Sequence, residues 1–289
     1  MSSAARLREL ISQDRLLLAP GAPNALTAVL IEEAGFPVVY VSGAGVSNTQ
    51  LGVADVGLVS LRELVDQVRY ITAAVEVPVV ADADTGFGNA INVTRTVQEL
   101  ERAGAAGLHL EDQVTPKRCG HFEGKQIVSK SEMANKVRAA VEARRDDDFV
   151  IIARTDARAI TGLEDAIERA LAYREAGADM IFLEAPQTTE ELETVARQVP
   201  GPLVANMVED GKTPLQSAET LEKMGYRLVL YANLAMRAAV FAMQQVLSHL
   251  AEHGDSMGVR DRIITMDERN RITNLAHYRK MEERYLSEA

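Results

Sequence analysis

A local pattern of polar and apolar residues recurs four times along the chain. In each copy a charged segment runs into a glycine, a short apolar run follows, and a polar residue ends it; the glycines are Gly35, Gly104, Gly177 and Gly225. Glycine is common just after the last turn of a helix, because it adopts the left-handed conformation without steric cost. A short run that is apolar on both faces is typical of a parallel strand. The repeated unit therefore predicts a helix, its cap, a strand and a loop.

The same pattern predicts eight strands over the whole chain. Their predicted bounds are 16–19, 38–42, 79–82, 107–111, 150–154, 180–184, 203–206 and 228–231. Between them lie amphipathic segments with apolar residues at helical spacing, such as Val93, Val97 and Leu100. Strands that alternate with helices in this number predict a (β/α)8 barrel, the TIM-type α/β fold. The alternative is a doubly wound open sheet, although no GxGxxG sequence follows the first strand.

The chain continues beyond the last helix that a barrel needs. A segment at 253–289 is highly charged and is predicted to be helical. We therefore predict a catalytic barrel domain over residues 1–252 and a helical extension over 253–289. This extension would either cap the barrel or dock on a neighbouring subunit.

Composition and charge narrow the class of protein. The chain is 47% hydrophobic and 25% charged, and its formal net charge of -11 argues against a nucleic-acid partner. It contains neither an amino-terminal signal core nor an apolar run of the length that a membrane helix needs. A single cysteine cannot form an internal disulfide, which fits a reducing compartment. We expect a soluble cytoplasmic protein with no membrane and no nucleic-acid partner.

Polar residues stand at the carboxyl ends of the predicted strands, where barrel enzymes build their active sites. These residues are Ser42, Asp82, Asp84, Glu111, Arg154, Glu184, Asn206 and Asn233. A strand that is buried on both faces does not need to end in a charged group. Their gathering at one end of the barrel indicates a functional site.

Three of the carboxylates suggest a metal site. Asp82 and Asp84 alternate along a segment predicted to be extended, so both side chains would point to one side, and Glu111 ends the next strand. Carboxylates without cysteine or several histidines suit a hard cation such as Mg²⁺ or Mn²⁺. The alternative is structural, with Asp82 accepting hydrogen bonds from loop amides and Asp84 capping a helix.

Three arginines would supply the positive charge that an anionic substrate needs. They are Arg154, Arg237 and Arg269. The planar guanidinium group matches the geometry of a carboxylate. For Arg237 and Arg269 the alternative is an ordinary solvated helix face.

The only cysteine lies in the segment TPKRCGHFEGK, which follows the fourth predicted strand. The segment is longer than a usual strand-to-helix loop and contains two glycines, as mobile lids do. Lys117, Arg118 and His121 would lower the pKa of the Cys119 thiol. A buried apolar cysteine or a zinc site is a weaker interpretation, because the neighbours are charged and zinc needs about four ligands. We interpret Cys119 as a chemically active thiol.

Taken together, these motifs resemble the isocitrate lyase and phosphoenolpyruvate mutase superfamily over nearly the whole chain. The sequences that carry the resemblance are YVSGAGV, ADADTGFGN, LHLEDQ, KRCGH, IIARTDA and LEAP. They are most similar to the branch of 2-methylisocitrate lyases and 2-alkylmalate lyases, which includes 2,3-dimethylmalate lyase. The resemblance implies a magnesium-dependent carbon–carbon lyase that cleaves a 2-hydroxy acid such as 2-methylisocitrate to pyruvate and succinate, a step of propionate metabolism.

The resemblance also implies roles for individual residues. Mg²⁺ would be held near Asp82 and Asp84, with Glu111 acting partly through water. Cys119 would be the general acid or base, and Tyr40 and His121 are further catalytic candidates. The residues implied in substrate binding are Ser42, Gly43, Ala44, Gly120, Arg154, Glu184, Asn206, Arg237 and Arg269. The family likeness further implies a homotetramer in which a carboxyl-terminal helix is exchanged between subunits.

Some positions depart from the methylisocitrate lyase pattern. Ala44 stands where those enzymes carry glycine, and the segments LEAPQ and NMVEDGKTP look like those of the alkylmalate lyases, whereas Arg269 looks like methylisocitrate lyase. The alternatives are therefore a 2,3-dimethylmalate or 2-alkylmalate lyase, an oxaloacetate hydrolase or decarboxylase, and a non-catalytic barrel that binds dicarboxylates. The mutase reaction is disfavoured because the loop lacks the Lys-x-Asn-Ser pattern of those enzymes.

Overall fold

Eight parallel strands form one sheet in the computed structural model of the protein, which describes residues 1–120 and 124–286. The strands are β1 (Leu17–Pro20), β2 (Val39–Val41), β3 (Val79–Asp82), β4 (Gly107–Glu111), β5 (Val150–Thr155), β6 (Met180–Leu183), β7 (Leu203–Asn206) and β8 (Tyr226–Tyr231). All eight predicted strands are present. The predicted bounds of β3, β4 and β7 are confirmed, while the other strands differ by one or two residues at their ends.

The described residues also contain twelve α-helices. They are α1 (Ser3–Ser12), α2 (Ala25–Glu33), α3 (Gly43–Val46), α4 (Leu61–Thr72), α5 (Ala90–Arg102), α6 (Lys130–Ala143), α7 (Leu163–Glu175), α8 (Thr189–Gln198), α9 (Ala218–Met224), α10 (Leu234–His253), α11 (Met266–Ile272) and α12 (Leu275–Leu286). A π-helical turn covers Ser47–Leu51, and 3₁₀ turns cover Ala157–Ala159 and Met257–Arg262. Helices and strands alternate along the barrel, as the sequence predicts.

Local sequence explains where many of these helices begin and end. Helix α4 begins with a capping box, in which the Ser60 side chain accepts from the amide of Glu63 and the Glu63 carboxylate accepts from the amide of Ser60. All four recurring glycines follow helices with positive φ angles, at 84° for Gly35, 92° for Gly104, 105° for Gly177 and 99° for Gly225. The prediction that these glycines mark helix ends is confirmed.

The sheet closes almost completely into a barrel. Its strand order is β1-β8-β7-β6-β5-β4-β3-β2, and the two end strands meet at a bridge between Gly21 and Tyr40. There the amide of Ala22 donates to the carbonyl of Tyr40 over 2.8 Å. A Cβ atom at Gly21 would lie 1.9 Å from the carbonyl oxygen of Ala232, so only glycine fits this closure. The predicted TIM-type barrel is confirmed, and the open doubly wound sheet is excluded.

Alternate residues of each strand pack into two separate cores. Ile151 belongs to the larger core with the helices, while its neighbour Ile152 packs in a second cluster with Val80 and Phe182. This division follows from the alternation of side chains along a strand. Leu7 of α1 joins the second cluster and is fully buried. The interior of the barrel is thus packed with side chains, and the polar residues at the strand ends stand on a rigid base.

The chain divides into two compact units, Met1–Leu234 and Ala235–Ala289. The first contains the barrel, and the second contains α11, α12 and all but the first residue of α10. The domain boundary predicted at residues 252–253 falls inside the second unit. Among the described residues, no helix combines the length and the apolar character needed to cross a membrane.

Candidate active site

The carboxyl ends of the strands and the loop after β4 surround a small cavity of about 40 Å³. It is lined by Tyr40, Ser42, Ala44, Asp55, Asp82, Lys117, Cys119, Gly120, Arg154, Glu184, Asn206, Val208, Ala232 and Asn233. Most of the residues predicted from strand ends and from the cysteine loop are therefore brought together. Such a volume holds about three water molecules.

The segment after β2 places its backbone against the acidic residues. The amide of Gly43 donates to Asp82 Oδ2 over 3.0 Å, and Ser42 caps α3 by accepting from the amide of Gly45 over 3.3 Å. A Cβ atom at Gly43 would lie 3.0 Å from Asp82 Oδ2 and 3.0 Å from Asp84 Oδ1. Glycine at this position lets the backbone lie directly beside both carboxylates.

The prediction that Asp82 and Asp84 share one extended segment is wrong, although both side chains still reach Gly43. Asp84 has a φ angle of 47°, because the chain turns sharply just after β3 ends at Asp82. Asp82 Oδ1 accepts from the amide of Asp84 over 3.0 Å. Asp82 thus also accepts a hydrogen bond from a loop amide, as the structural alternative predicted. The following helix α5 is capped by Asn89 and not by Asp84, so the other half of that alternative is wrong.

Asp55 and Lys117, which do not stand at the ends of predicted strands, complete this acidic group. Lys117 Nζ lies 2.6 Å from Asp55 Oδ1 and 2.9 Å from Asp84 Oδ1. The Lys117 side chain is only 4% exposed, so the charges are held out of water. Lys117 was predicted to act on the thiol of the loop, but its ammonium group is bound to these two carboxylates.

Burial strongly perturbs the acids of the group. It raises the pKa of Asp84 to about 7, against the opposing charge of Lys117. It also raises the pKa of Glu111 well above its ordinary value, against the opposing charge of Arg154. Burial acts on Asp82 in the same direction, but His109, Lys117 and Arg154 outweigh it and hold the pKa of Asp82 below its ordinary value. Carboxylates crowded in this way would be stabilised by a further cation.

The acids fit a magnesium ion that keeps several of its waters. Glu111 Oε1 is buried and has no hydrogen-bond partner among the described residues. In residues 1–120 and 124–286, no three His, Cys, Asp or Glu side chains form a ready-made metal centre. Mg²⁺ is commonly held by only one or two carboxylates together with water and substrate. The donor set therefore suits magnesium with mixed protein and water ligands.

Tyr40 and His109 lie beneath the acidic group. Their side chains join over 2.8 Å between Tyr40 Oη and His109 Nε2, and Tyr40 Oη also lies 3.5 Å from Asp82 Oδ2. Burial, followed by the charge of Asp82, raises the pKa of Tyr40 well above its ordinary value. Burial lowers the pKa of His109 to about 4, despite the opposing effect of Asp82. A neutral phenol and a neutral imidazole are therefore favoured at pH 7.

Arg154 lines the cavity and lies beside three carboxylates. Its Nε donates to Asp156 Oδ2 over 2.9 Å, and the same atom lies 3.3 Å from Glu111 Oε2. Glu184 Oε2 lies 3.8 Å from Arg154 NH2 and accepts from Asn206 over 3.4 Å. Arg154, Glu184 and Asn206 thus form one linked set, as their positions at neighbouring strand ends predict.

The cysteine segment packs against this set. The amide of Cys119 donates to the carbonyl of Asp55 over 3.1 Å, and Cys119 itself is half-buried. A Cβ atom at Gly120 would lie 2.6 Å from Arg154 NH2 and 2.8 Å from Glu184 Oε1. Only glycine allows the backbone to lie this close to both groups.

Six predicted site residues are not among the described residues that line the cavity. Gly43, Asp84 and Glu111 instead contact lining residues, as described above. His121 lies outside the described residues. Arg237 lies in α10 and Arg269 in α11, both within the second unit. Their roles stay predictions.

Known proteins are similar to this chain over nearly its full length. A family model described as phosphoenolpyruvate phosphomutase matches residues 7–251. The chain is 47% identical to 2,3-dimethylmalate lyase of Eubacterium barkeri over 285 residues, which is 99% of each chain. It is 48% identical to 2-methylisocitrate lyase of Aeropyrum pernix over 262 residues, covering 91% of this chain and 84% of that one.

Solved structures share the same architecture. An oxaloacetate acetylhydrolase in complex with the inhibitor 3,3-difluorooxalacetate has a TM-score of 0.93 and 37% identity, covering 98% of this chain and 96% of the other. A phosphonopyruvate hydrolase in complex with oxalate and Mg²⁺ has a TM-score of 0.90 and 34% identity, covering 99% of this chain and 100% of the other. On these matches, the chain belongs to the phosphoenolpyruvate mutase and isocitrate lyase superfamily.

Proposed function

We propose that the protein is a magnesium-dependent carbon–carbon lyase that cleaves a 2-hydroxy di- or tricarboxylate and releases a 2-oxo acid. The observation that carries the proposal is the meeting of Cys119, Arg154 and Asp82 around one cavity. A proton donor, a carboxylate-binding cation and a metal-binding acid are the groups this reaction needs. The lyase names of the two relatives support the same reaction class.

Each residue has a defined task in this proposal. Asp82 and Asp84 would hold the ion, with Glu111 acting partly through water. When bound, Mg²⁺ would stabilise negative charge on the hydroxyl oxygen of the 2-hydroxy acid. Arg154 binds a substrate carboxylate through its guanidinium group.

The proton that the second product must gain explains the role of Cys119. The hydroxyl proton leaves, the carbonyl of the 2-oxo acid forms, and the bond to the neighbouring carbon breaks. The electron pair of that bond stays on the departing carbon, next to a carboxylate. Cys119 Sγ gives its proton to this carbon, which completes the second product. A base for the hydroxyl proton is still required. Tyr40, whose Oη lies 3.5 Å from Asp82 Oδ2, would serve once a bound cation offsets the pKa rise described above.

The cavity is small, with a volume of about 40 Å³. Cys119 and Gly120 form part of its wall, and Gly120 is packed against Arg154 and Glu184. We propose that this segment moves aside for substrate and returns to exclude water during the reaction.

Two substrates have support from different observations. 2-Methylisocitrate, which would yield pyruvate and succinate, is supported by the relative from Aeropyrum pernix. 2,3-Dimethylmalate is supported by the relative that matches over 99% of both chains. A dicarboxylate needs fewer cations, and among the described residues that line the cavity only Lys117 and Arg154 are cationic. A third carboxylate would depend on Arg237 and Arg269.

We also propose that the protein assembles as a homotetramer through its second unit. Large apolar side chains are exposed there, including Phe241 at 64%, Leu247 at 61% and Ile264 at 61%. Large apolar side chains exposed in this number support an interface. Light scattering coupled to size-exclusion chromatography tests this, and a monomer at micromolar concentration would contradict it.

The activity test follows 2-oxo acid release with Mg²⁺ or with EDTA. Racemic 2-methylisocitrate, 2,3-dimethylmalate and simple 2-alkylmalates are compared, and oxaloacetate is included because of the structural similarity to an acetylhydrolase. The best substrate of the first three identifies the branch, while oxalate and acetate from oxaloacetate would instead indicate a hydrolase. No 2-oxo acid from 2-methylisocitrate, 2,3-dimethylmalate or the 2-alkylmalates with Mg²⁺ would overturn the lyase proposal, and release that EDTA leaves unchanged would contradict the need for a metal.

Cys119→Ser separates a lyase from a protein that only binds dicarboxylates. We expect turnover to fall by about 1000-fold, within the range for loss of a general acid, while product still binds. Isothermal titration with pyruvate and Mg²⁺ measures that binding. Unchanged turnover in the variant would remove Cys119 from the mechanism.

A further inference from the structure

Lys125 is a buried lysine that does not line the active-site cavity. It lies between β4 and α6, and its side chain is only 2% exposed. Its Nζ donates to the carbonyl of Gly120 over 2.5 Å and to Asp156 Oδ1 over 2.8 Å. A buried ammonium group is strongly unfavourable unless it is paired and hydrogen-bonded. These two acceptors therefore fix where the Lys125 ammonium lies.

Asp156 joins Lys125 to the substrate-binding arginine. Its carboxylate is fully buried and accepts from Arg154 Nε over 2.9 Å and from Arg154 NH2 over 3.2 Å. Burial acts to raise the pKa of Asp156, but Arg154 and Lys125 outweigh it and hold this pKa at about 2. The carboxylate is thus charged at neutral pH and binds both cations at once.

The backbone beneath Asp156 is held in turn by Asp112. The amide of Asp156 donates to Asp112 Oδ1 over 2.9 Å, and the hydroxyl of Thr155 donates to Asp112 Oδ2 over 2.7 Å. Tyr173 Oη donates to the same Asp112 Oδ2 over 2.8 Å. The position of Asp156 in the barrel is therefore fixed, and its hydrogen bonds fix the positions of Arg154 and Lys125 in turn.

We propose that Lys125 is a positioning residue that aligns the Cys119 thiol and the Arg154 guanidinium together. Its ammonium ties the carbonyl of Gly120, the residue that follows Cys119, to the carboxylate that is hydrogen-bonded to Arg154. The close approach of Gly120 to Arg154 NH2 places the two ends of this connection side by side. The catalytic part of the inference rests on the proposed lyase function, whereas the tie between Lys125 and the cysteine segment does not.

Lys125→Met tests the proposal because methionine keeps the apolar stem and removes the ammonium. We expect kcat to fall by about 100-fold, as for a small misplacement of reacting groups, while KM changes by less than about threefold. Lys130→Met is the matched control, since Lys130 is a partly exposed lysine on α6 that pairs only with Glu168 in the described structure. It should keep the parent kcat.

Alkylation of the single cysteine gives a readout that does not depend on turnover. Iodoacetamide modifies the chain at Cys119, and intact mass measures the rate. We expect Lys125→Met to react about tenfold faster than the parent protein without substrate, because a charge-assisted hydrogen bond no longer holds the segment. Lys130→Met should react at the parent rate.

Asp156→Asn breaks the same tie from its other end and serves if Lys125→Met does not fold. It should also accelerate alkylation, and the double variant should react no faster than the faster single variant, because both remove one connection. Parent rates of both turnover and alkylation in a folded Lys125→Met variant would overturn the proposal. If the parent protein releases no 2-oxo acid, the lyase function fails, while faster alkylation in the variants would still establish the tie.

Discussion

Two groups of buried ionisable residues lie at the carboxyl end of the barrel, and they differ in how well their polar atoms are satisfied. The acidic cluster consists of Asp55, Asp82, Asp84, Glu111 and Lys117. The support cluster consists of Asp112, Lys125, Asp156, Arg169 and Tyr173. Each combines carboxylates with cationic side chains, and in both clusters the acids are almost completely buried.

In the acidic cluster, acids outnumber the single lysine, and Glu111 Oε1 has no hydrogen-bond partner among the described residues. In the support cluster, Asp112 accepts from Arg169, Thr155 and Tyr173 as well as from a backbone amide. Removing one partner from a fully hydrogen-bonded buried carboxylate is costly, whereas an unsatisfied buried carboxylate lowers stability and marks a candidate ligand site. The comparison therefore assigns a structural role to the support cluster and ligand binding to the acidic cluster.

Asp112→Asn should have the largest effect on stability. Asp112 Oδ2 accepts from three donors, and an amide nitrogen there would face them with hydrogens of its own. We expect the free energy of unfolding to fall by about 3 kcal/mol, measured by urea denaturation. The control is Asp66→Asn, which weakens helix-surface pairs with Arg62 and Arg69 and should cost about 1 kcal/mol or less. Equal effects of the two changes would contradict a scaffolding role for the support cluster.

Glu111→Gln should show the opposite behaviour, with activity lost and stability kept. The amide removes a charge that burial disfavours, so the free energy of unfolding at pH 7 should stay the same or rise. We expect kcat/KM to fall by about 100-fold, as for residues that support a metal, which corresponds to about 2.7 kcal/mol of transition-state stabilisation. Loss of stability of the size expected for Asp112→Asn would show that Glu111 is scaffolding too.

The two clusters also differ in how well the sequence predicts them. Strand ends such as Asp82, Glu111 and Arg154 could be located, because apolar runs and glycine caps are local patterns and the barrel brings their ends together. The pairing of Lys117 with Asp55 was not found, because the two residues are 62 positions apart in sequence and no periodicity links them. His109 could have been found, since it is a polar residue facing inward within an apolar strand.

Turns and irregular segments of the backbone are the second feature that the sequence does not predict. Alternation along a strand predicted the direction of the Asp84 side chain, but that rule ends where the strand ends, and Asp84 adopts a φ angle of 47°. Asp156 and Lys125 were missed for a related reason. Both lie in irregular segments, where neither helical nor strand spacing indicates which residues meet.

Asp84 gives the acidic cluster a pH dependence that sharpens the comparison. Its folded pKa of about 7 lies above the ordinary value of 3.8. The folded state therefore binds the proton more tightly, so its stability falls as pH rises through this range, by about 2 kcal/mol between pH 5 and pH 7. The difference in unfolding free energy between the parent protein and Asp84→Asn isolates this contribution. Mg²⁺ should offset this loss of stability, so it should stabilise the parent protein more at pH 8 than at pH 5. Equal stabilisation at both pH values would show that Asp84 does not bind the metal.

Gly43→Ala should have the smallest effect and tests whether the acidic cluster binds metal as a unit. The new Cβ would lie 3.0 Å from both Asp82 Oδ2 and Asp84 Oδ1, so the two carboxylates must shift slightly. We expect a loss of about 1 kcal/mol in stability, typical of mild overpacking, and about a tenfold weaker Mg²⁺ affinity by calorimetry. Gly45→Ala is the matched control on the same short helix, because its Cβ would have only ordinary contacts, the nearest at 3.5 Å. If Gly43→Ala binds Mg²⁺ as tightly as the control, Asp82 and Asp84 do not hold the ion together.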